Sequence, residues 1–306
     1  MSTKIILHIL TAMLLAGMPH ITEELKEPQM VDLLIFAGQS NMAGNGEAAL
    51  APEVTEGAGY EFRAVSDPTM LYPVEAPFGL EENRENGIYD VWPDSGIRRK
   101  LGDLVPAFIN AYYETTGVPV VGVSASEGGT RIRQWMPGSN RYEDLCDRIC
   151  AAKEFLENSD AYELRHTYLI WCQGESDGDA GMSESSYYEA FDHLVTGLKS
   201  NGMVDACMVI RIGNFGTNLN KYDGIMRAQT SYCQDSTNAV LISTRFAEMA
   251  ETGLMRDVYH YTQEGYNLAG EEAGKNAGYY ANTGMEPELW DYEADEMYKP
   301  TAGVNE

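Results

Sequence analysis

Two short stretches of this chain hold residue types that together perform acyl transfer. Ser40 lies in the turn Gly38-Gln-Ser-Asn-Met-Ala-Gly44, and Asp257-Val-Tyr-His260 places a carboxylate three residues before an imidazole. A serine hydroxyl is a weak nucleophile at neutral pH. It needs a histidine to take its proton, a carboxylate to orient that histidine, and fixed N–H donors where negative charge develops. The three-residue spacing lets one turn offer Asp257 to one ring nitrogen of His260 and leave the other nitrogen for a nucleophile. His8 and His20 lie in the N-terminal stretch, while His166 and His193 fall within or beside helix and strand patterns, which leaves His260 as the base. The backbone amides of Ser40 and Gly128 and the side-chain amide of Gln173 are the candidate oxyanion donors. Met42 stands where a Gly-x-Ser-x-Gly elbow has its second glycine, so an α/β-hydrolase fold is disfavoured.

Positioning these groups requires a scaffold, and the apolar periodicity describes one. From Val31 onward short apolar runs alternate with helical patterns, as in a parallel sheet packed by helices. Strands are expected at 31–37, 120–124, 167–172, 206–212 and 239–243, and helices at 97–116, 142–157, 184–200, 222–233 and 263–280. The first three strands end at Gly38-Gln-Ser40, Glu127-Gly-Gly-Thr130 and Gln173-Gly-Glu175, and ligands of open parallel sheets bind outside such carboxyl ends. Residues 46–96, rich in Pro, Gly, Glu and Asn, read as long surface loops with room for one hairpin. The expected fold is an α/β three-layer sandwich with a mostly parallel central sheet and helices on both faces, flavodoxin-like in layout. Residues 31–283 form one catalytic domain between an N-terminal extension, 1–30, and an acidic C-terminal tail, 284–306.

Composition narrows the function. With 306 residues and 44% hydrophobic content, the chain can bury a full core. Its formal charge of -26 repels phosphate backbones and anionic lipid surfaces, which argues against nucleic acid as a partner and against stable membrane association. Five cysteines, an odd number without zinc-site spacing, indicate neither a disulfide framework nor a metal centre. Cys146 and Cys150 share a predicted helix face and pack there. The apolar stretch from Ile5 to Met18, after Lys4, has the length of a signal-peptide core, but it reads equally as a helix followed by a polar tether. Cytoplasmic and exported locations, and the oligomeric state, stay open.

Taken in order, Gly38-Gln-Ser-Asn-Met42, Gly128-Gly-Thr130, Trp171-Cys-Gln-Gly-Glu175 and Asp257-x-x-His260 resemble the blocks of the SGNH hydrolases, in the branch of sialate O-acetylesterases and acetylxylan esterases. The resemblance runs from about Val31 to Tyr280. It implies a cofactor-free serine esterase that removes O-acetyl groups from a carbohydrate through an acyl-enzyme. It further implies Ser40 as nucleophile, His260 as base, Asp257 as its orienting acid, and Ser40, Gly128 and Gln173 as oxyanion donors. Gln39, Asn41 and Glu175 support the site, with Glu175 expected to brace the Gln173 turn by accepting backbone hydrogen bonds. Arg131 stands where a small residue is expected and is a candidate contact for a substrate carboxylate. Trp135 is expected to pack beneath the site. The rival readings are a non-catalytic carbohydrate-binding protein of the same fold, and a short-chain lipolytic or thioesterase relative.

Overall fold

β1, Gln29–Gly38, is a run of apolar residues buried on both faces, as befits the centre of a parallel sheet. The structure, a computed structural model, describes residues 27–92 and 95–300, so most of the expected N-terminal extension lies outside the described residues. On one side β1 pairs in parallel with β4, Val120–Ser126, and on the other with β5, Tyr162–Cys172. Beyond β5 come β6, Ala206–Ile210, and β7, Ala239–Ser243; beyond β4 come β2, Gly59–Arg63, and β3, Asp67–Pro73. The resulting order is β3-β2-β4-β1-β5-β6-β7, parallel except for β3 at one edge. The expected three-layer α/β sandwich is thus the observed architecture, and the hairpin expected within 46–96 is β2–β3.

Helices cover both faces. α3, Asn140–Glu157, α5, Glu184–Ser200, and α6, Asp223–Asp235, bury their apolar stripes with Leu33, Ile35, Val121 and Trp171 on one side of the sheet. α2, Val105–Thr116, and α7, Gln263–Thr283, lie on the other side with Leu34, Phe36, Ile170 and Met208. The backbones of α2 and α7 approach closely because glycines stand at the crossing. A Cβ on Gly274 would lie 2.2 Å from the Phe108 carbonyl oxygen, and one on Gly270 would lie 2.4 Å from that of Leu104.

Two expectations are corrected. The helix expected over 97–116 begins only at Val105, because Pro106 occupies its first turn, where its missing N–H costs nothing. Residues before it instead bridge to other loops, Arg98 to Val91 and Gly102 to Gly46, and leave Ile97 and Leu101 exposed. The C-terminal stretch, expected as an acidic tail, is docked onto the domain as far as residue 300. Its short hairpin, β8, Trp290–Asp291, with β9, Glu296–Met297, buries Leu289 and Tyr298. Asp291 there receives both terminal nitrogens of the buried Arg211, at 2.6 and 2.5 Å. Arg211 and Asp291 are buried together, and this pairing neutralises one of the tail's carboxylates.

The end of β1 is the tightest point of the sheet. Gly38 has φ +137°, and a Cβ there would lie 2.0 Å from the carbonyl oxygen of Cys172 on the neighbouring strand. Gly38→Ala therefore combines a backbone clash with a conformation that L residues rarely adopt, and its expected cost exceeds about 4 kcal/mol. Denaturant unfolding checks this; a variant within about 1 kcal/mol of wild type would contradict the packing described.

Candidate active site

β1 passes from Gly38 into Gln39 and then α1, Ser40–Ala43, a single helical turn. Ser40 is its first residue, so its N–H has no acceptor within the helix. On the β4 side the chain turns through Glu127-Gly-Gly-Thr130, and on the β5 side through Gln173-Gly174 into the short helix α4, Glu175–Asp179. The loop before α7 supplies Tyr259 and His260, and Thr262 caps that helix by accepting from the Gly265 N–H. These segments enclose a cleft of about 180 Å³, lined among others by Gln39, Ser40, Gly129, Glu175, Tyr259 and His260.

Within the cleft, His260 Nδ1 lies 2.8 Å from Asp257 Oδ2. Asp257 Oδ1 accepts from the N–H groups of Tyr259 and His260, at 2.8 and 2.9 Å, which fixes the carboxylate before the ring meets it. Partial burial would raise the Asp257 pKa, but the hydrogen bonds from His260 and the Tyr259 N–H outweigh it and hold the group below the usual carboxylate range. With Nδ1 committed to Asp257 as a donor, Nε2 is left as the basic nitrogen. No hydrogen bond joins Ser40 to His260 directly; catalytic contacts of this kind tighten when substrate binds. The two loops are nonetheless tied together, since the Arg256 guanidinium donates to the Asn45 carbonyl just beyond the Ser40 turn.

Asn41 is wholly engaged: Nδ2 donates to Glu175 Oε1 at 2.6 Å and to the Tyr259 carbonyl at 3.1 Å, and Oδ1 accepts from the Tyr266 hydroxyl at 2.7 Å. Glu175 thus braces the site chiefly through Asn41, rather than through the N–H groups of the Gln173 turn that the sequence suggested. Burial pushes its pKa up to about 7 against the opposing Asn41 hydrogen bond, and its Oε2 has no protein partner. The Gln173 turn is held instead by Gln39, whose Oε1 accepts from the N–H groups of Gly174 and Ser176.

The other two oxyanion candidates, Gly128 and Gln173, both have protein partners for their N–H groups. The Gly128 N–H donates to Asp90 Oδ1 at 3.1 Å, and Gly129, not Gly128, lines the cleft. Gln173 is fully buried, and its Nε2 is spent on Asp177 Oδ2 at 2.6 Å, the Thr130 carbonyl at 2.9 Å and Gln39 Oε1 at 3.1 Å. Arg131 is exposed and is not among the residues that line the cleft. The cation at the cleft is Arg99, which sequence reasoning missed. Its guanidinium lies 4.9 Å from the Trp92 ring centroid, 3.5 Å from Asp90, and donates to the Gly128 carbonyl at 3.3 Å. The run Arg98-Arg99-Lys100 in so acidic a chain was the available signal, hidden by the reading of 97–104 as helix. Trp135 is fully buried edge-on to Trp171, with Nε1 donating to Thr130 Oγ1.

All five cysteines are unpaired, and among the described residues no group of three or more His, Cys, Asp and Glu could hold a metal ion. Among the same residues no helix is long and apolar enough to cross a membrane.

The class of the protein is a carboxylic ester hydrolase, as its family match shows. Residues 30–277 match the family model described as "Carbohydrate esterase, sialic acid-specific acetylesterase", and the chain belongs to that family. A probable carbohydrate esterase of Arabidopsis thaliana is 26% identical over 196 residues, which is 59% of this chain and 67% of the relative. A solved structure from Arabidopsis thaliana superposes with TM-score 0.60 at 22% identity, covering 81% of this chain and 97% of the other. NanS gives TM-score 0.57 at 12% identity, covering 85% and 100%. A carbohydrate acetylesterase from Xanthomonas citri gives 0.51 at 13%, covering 85% of this chain and 58% of its own. These structural likenesses establish the fold.

Glu175 makes stability depend on pH. A carboxyl whose pKa is raised on folding favours the folded chain below its unfolded value, near 4.5, and that contribution is lost as pH rises through about 7. Glu175→Gln keeps an acceptor for Asn41 and cannot ionise. Its thermal midpoint relative to wild type should therefore climb between about pH 4.5 and 7 and level off above. A difference independent of pH would show that Glu175 is not held in the protonated form.

Proposed function

We propose that this esterase removes O-acetyl groups from a carbohydrate through an acyl-enzyme on Ser40. The observation that carries this reading is that Ser40, from the end of β1, lines one small cleft with His260, whose Nδ1 is held by Asp257. Ser40 Oγ attacks the ester carbonyl while its proton passes to His260 Nε2. The tetrahedral adduct then collapses, and the departing sugar oxygen takes that proton. Water, deprotonated by the same nitrogen, attacks the acyl-Ser40 carbonyl, acetate leaves, and Ser40 regains its proton. Asp257 holds the ring orientation and stabilises the imidazolium formed in each step. The N–H of Ser40 is one oxyanion donor, and that of Gly129, which donates to nothing among the described residues, is a second.

A small acyl group is favoured by size. Pockets for drug-sized ligands run to about 300–1,000 Å³ and are mostly apolar. This cleft holds about 180 Å³, room for a small acyl group rather than a long chain. The lipolytic and thioesterase readings lose support on that ground. Tyr259, 39% exposed and braced edge-on by Phe215, presents an aromatic surface on which a sugar ring can pack.

Acetate release from acetylated xylan, acetylated sialic acid and aryl acetates tests the reading. Ser40→Ala and His260→Ala are each expected to lose at least about 10⁴-fold in kcat, because the groups act as a unit. Sugar binding with no Ser40-dependent release from any ester would support the binding-protein alternative. In an aryl ester series, rates should fall as the acyl chain lengthens beyond acetyl; a maximum at long chains would overturn the assignment of a deacetylase.

A further inference from the structure

We infer that the side-chain amide of Gln39 is a catalytic oxyanion donor, filling the role that the sequence suggested for Gln173. The inference rests on the acyl-enzyme reading of Ser40. Gln39 is 3% exposed, directly precedes the nucleophile, and lines the cleft. Its Oε1 is held by three donors: Gln173 Nε2 at 3.1 Å, the Gly174 N–H at 3.2 Å and the Ser176 N–H at 3.3 Å. Two of these are backbone amides, which can only donate, so chemistry and not convention decides which end of the Gln39 amide is oxygen.

The consequence lies at the other end. Gln39 Nε2 donates to no group among the described residues, and three hydrogen bonds restrain the plane that carries it. A buried amide with its oxygen fixed and its protons uncommitted, beside an attacking serine, is a preorganised donor for charge appearing on the ester oxygen. Gln173 is its mirror image: its Nε2 is fully spent, and its Oε1 accepts from the Tyr187 hydroxyl at 3.1 Å. Gln173 is thus a positioning residue that acts through Gln39.

Gln39→Glu separates donor from anchor. A carboxylate there still accepts from the Gly174 and Ser176 amides but offers the cleft an oxygen in place of an N–H. Gln39→Leu removes both functions. With an aryl acetate, both variants are expected to lose ~10²–10³-fold in kcat with little change in KM. Inhibition by a boronic acid that adds to Ser40 as a tetrahedral adduct should weaken in parallel, and Gln39→Glu should melt close to wild type. Either variant retaining wild-type kcat, or losing kcat with boronate affinity intact, would overturn the assignment. Ser40→Ala run beside them keeps the two ideas apart. Activity without Ser40 would refute the acyl-enzyme itself, whereas strict dependence on Ser40 with an active Gln39→Glu would refute only the donor role.

Discussion

Asn41 spends its entire side chain joining three parts of the chain that are distant in sequence. Through Nδ2 it holds Glu175 at the end of β5 and the Tyr259 carbonyl beside His260, and through Oδ1 it holds Tyr266 in the first turns of α7. Because Asn41 follows Ser40 directly, the proposed nucleophile is registered at once against the sheet and against the loop that brings His260. Buried hydrogen bonds of this kind are costly to leave half-made, so the junction favours one arrangement of the three segments. The reach of Arg256 to the Asn45 carbonyl repeats the same connection at the rim.

A matching junction links the other two strand ends. Asp177 Oδ2 receives both the Ile132 N–H and the Gln173 amide, which ties the turn after β4 to the turn after β5. Glu127 accepts from the Tyr89 N–H while Asp90 accepts from the Gly128 N–H, so the long loop before α2 is stapled to the end of β4 by a reciprocal pair. The cleft is therefore a place where turns meet, several of them held by side-chain oxygens that accept backbone N–H groups: Glu127, Asp90, Asp177, Asp257 and the Gln39 amide. Much of the acidity near the site serves this purpose, and burial raises the pKa of Glu175 there to about 7.

What the sequence made legible follows from local rules. The helices 184–200 and 263–280 and the strand 239–243 could be read because apolar period, capping residues and length agree there. Ser40, Asp257 and His260 could be picked out as candidates because two of them are near neighbours and the third sits at a strand end. The start of α2 was misjudged because Leu101 and Ile97 fit a helical period while belonging to loops, one closed locally by the Val91–Arg98 bridge and one tied to Gly46, far away in sequence, through Gly102. The docking of 284–300 was missed because an acidic stretch shows nothing of Arg211, buried far away in sequence and waiting for Asp291. The division of labour between Gln39 and Gln173 was equally out of reach. Both are glutamines at strand ends, and which amide faces the cleft is decided by the N–H groups of Gly174 and Ser176.

The most direct test of the account is to catch the intermediate. Enzyme mixed with excess aryl acetate, quenched in acid during the burst and digested, should carry an acetyl group on the peptide containing Ser40. That adduct should be lost on dilution into fresh buffer at the rate of steady-state turnover. Sustained turnover with no acyl group on Ser40, or with the label on another side chain, would contradict it.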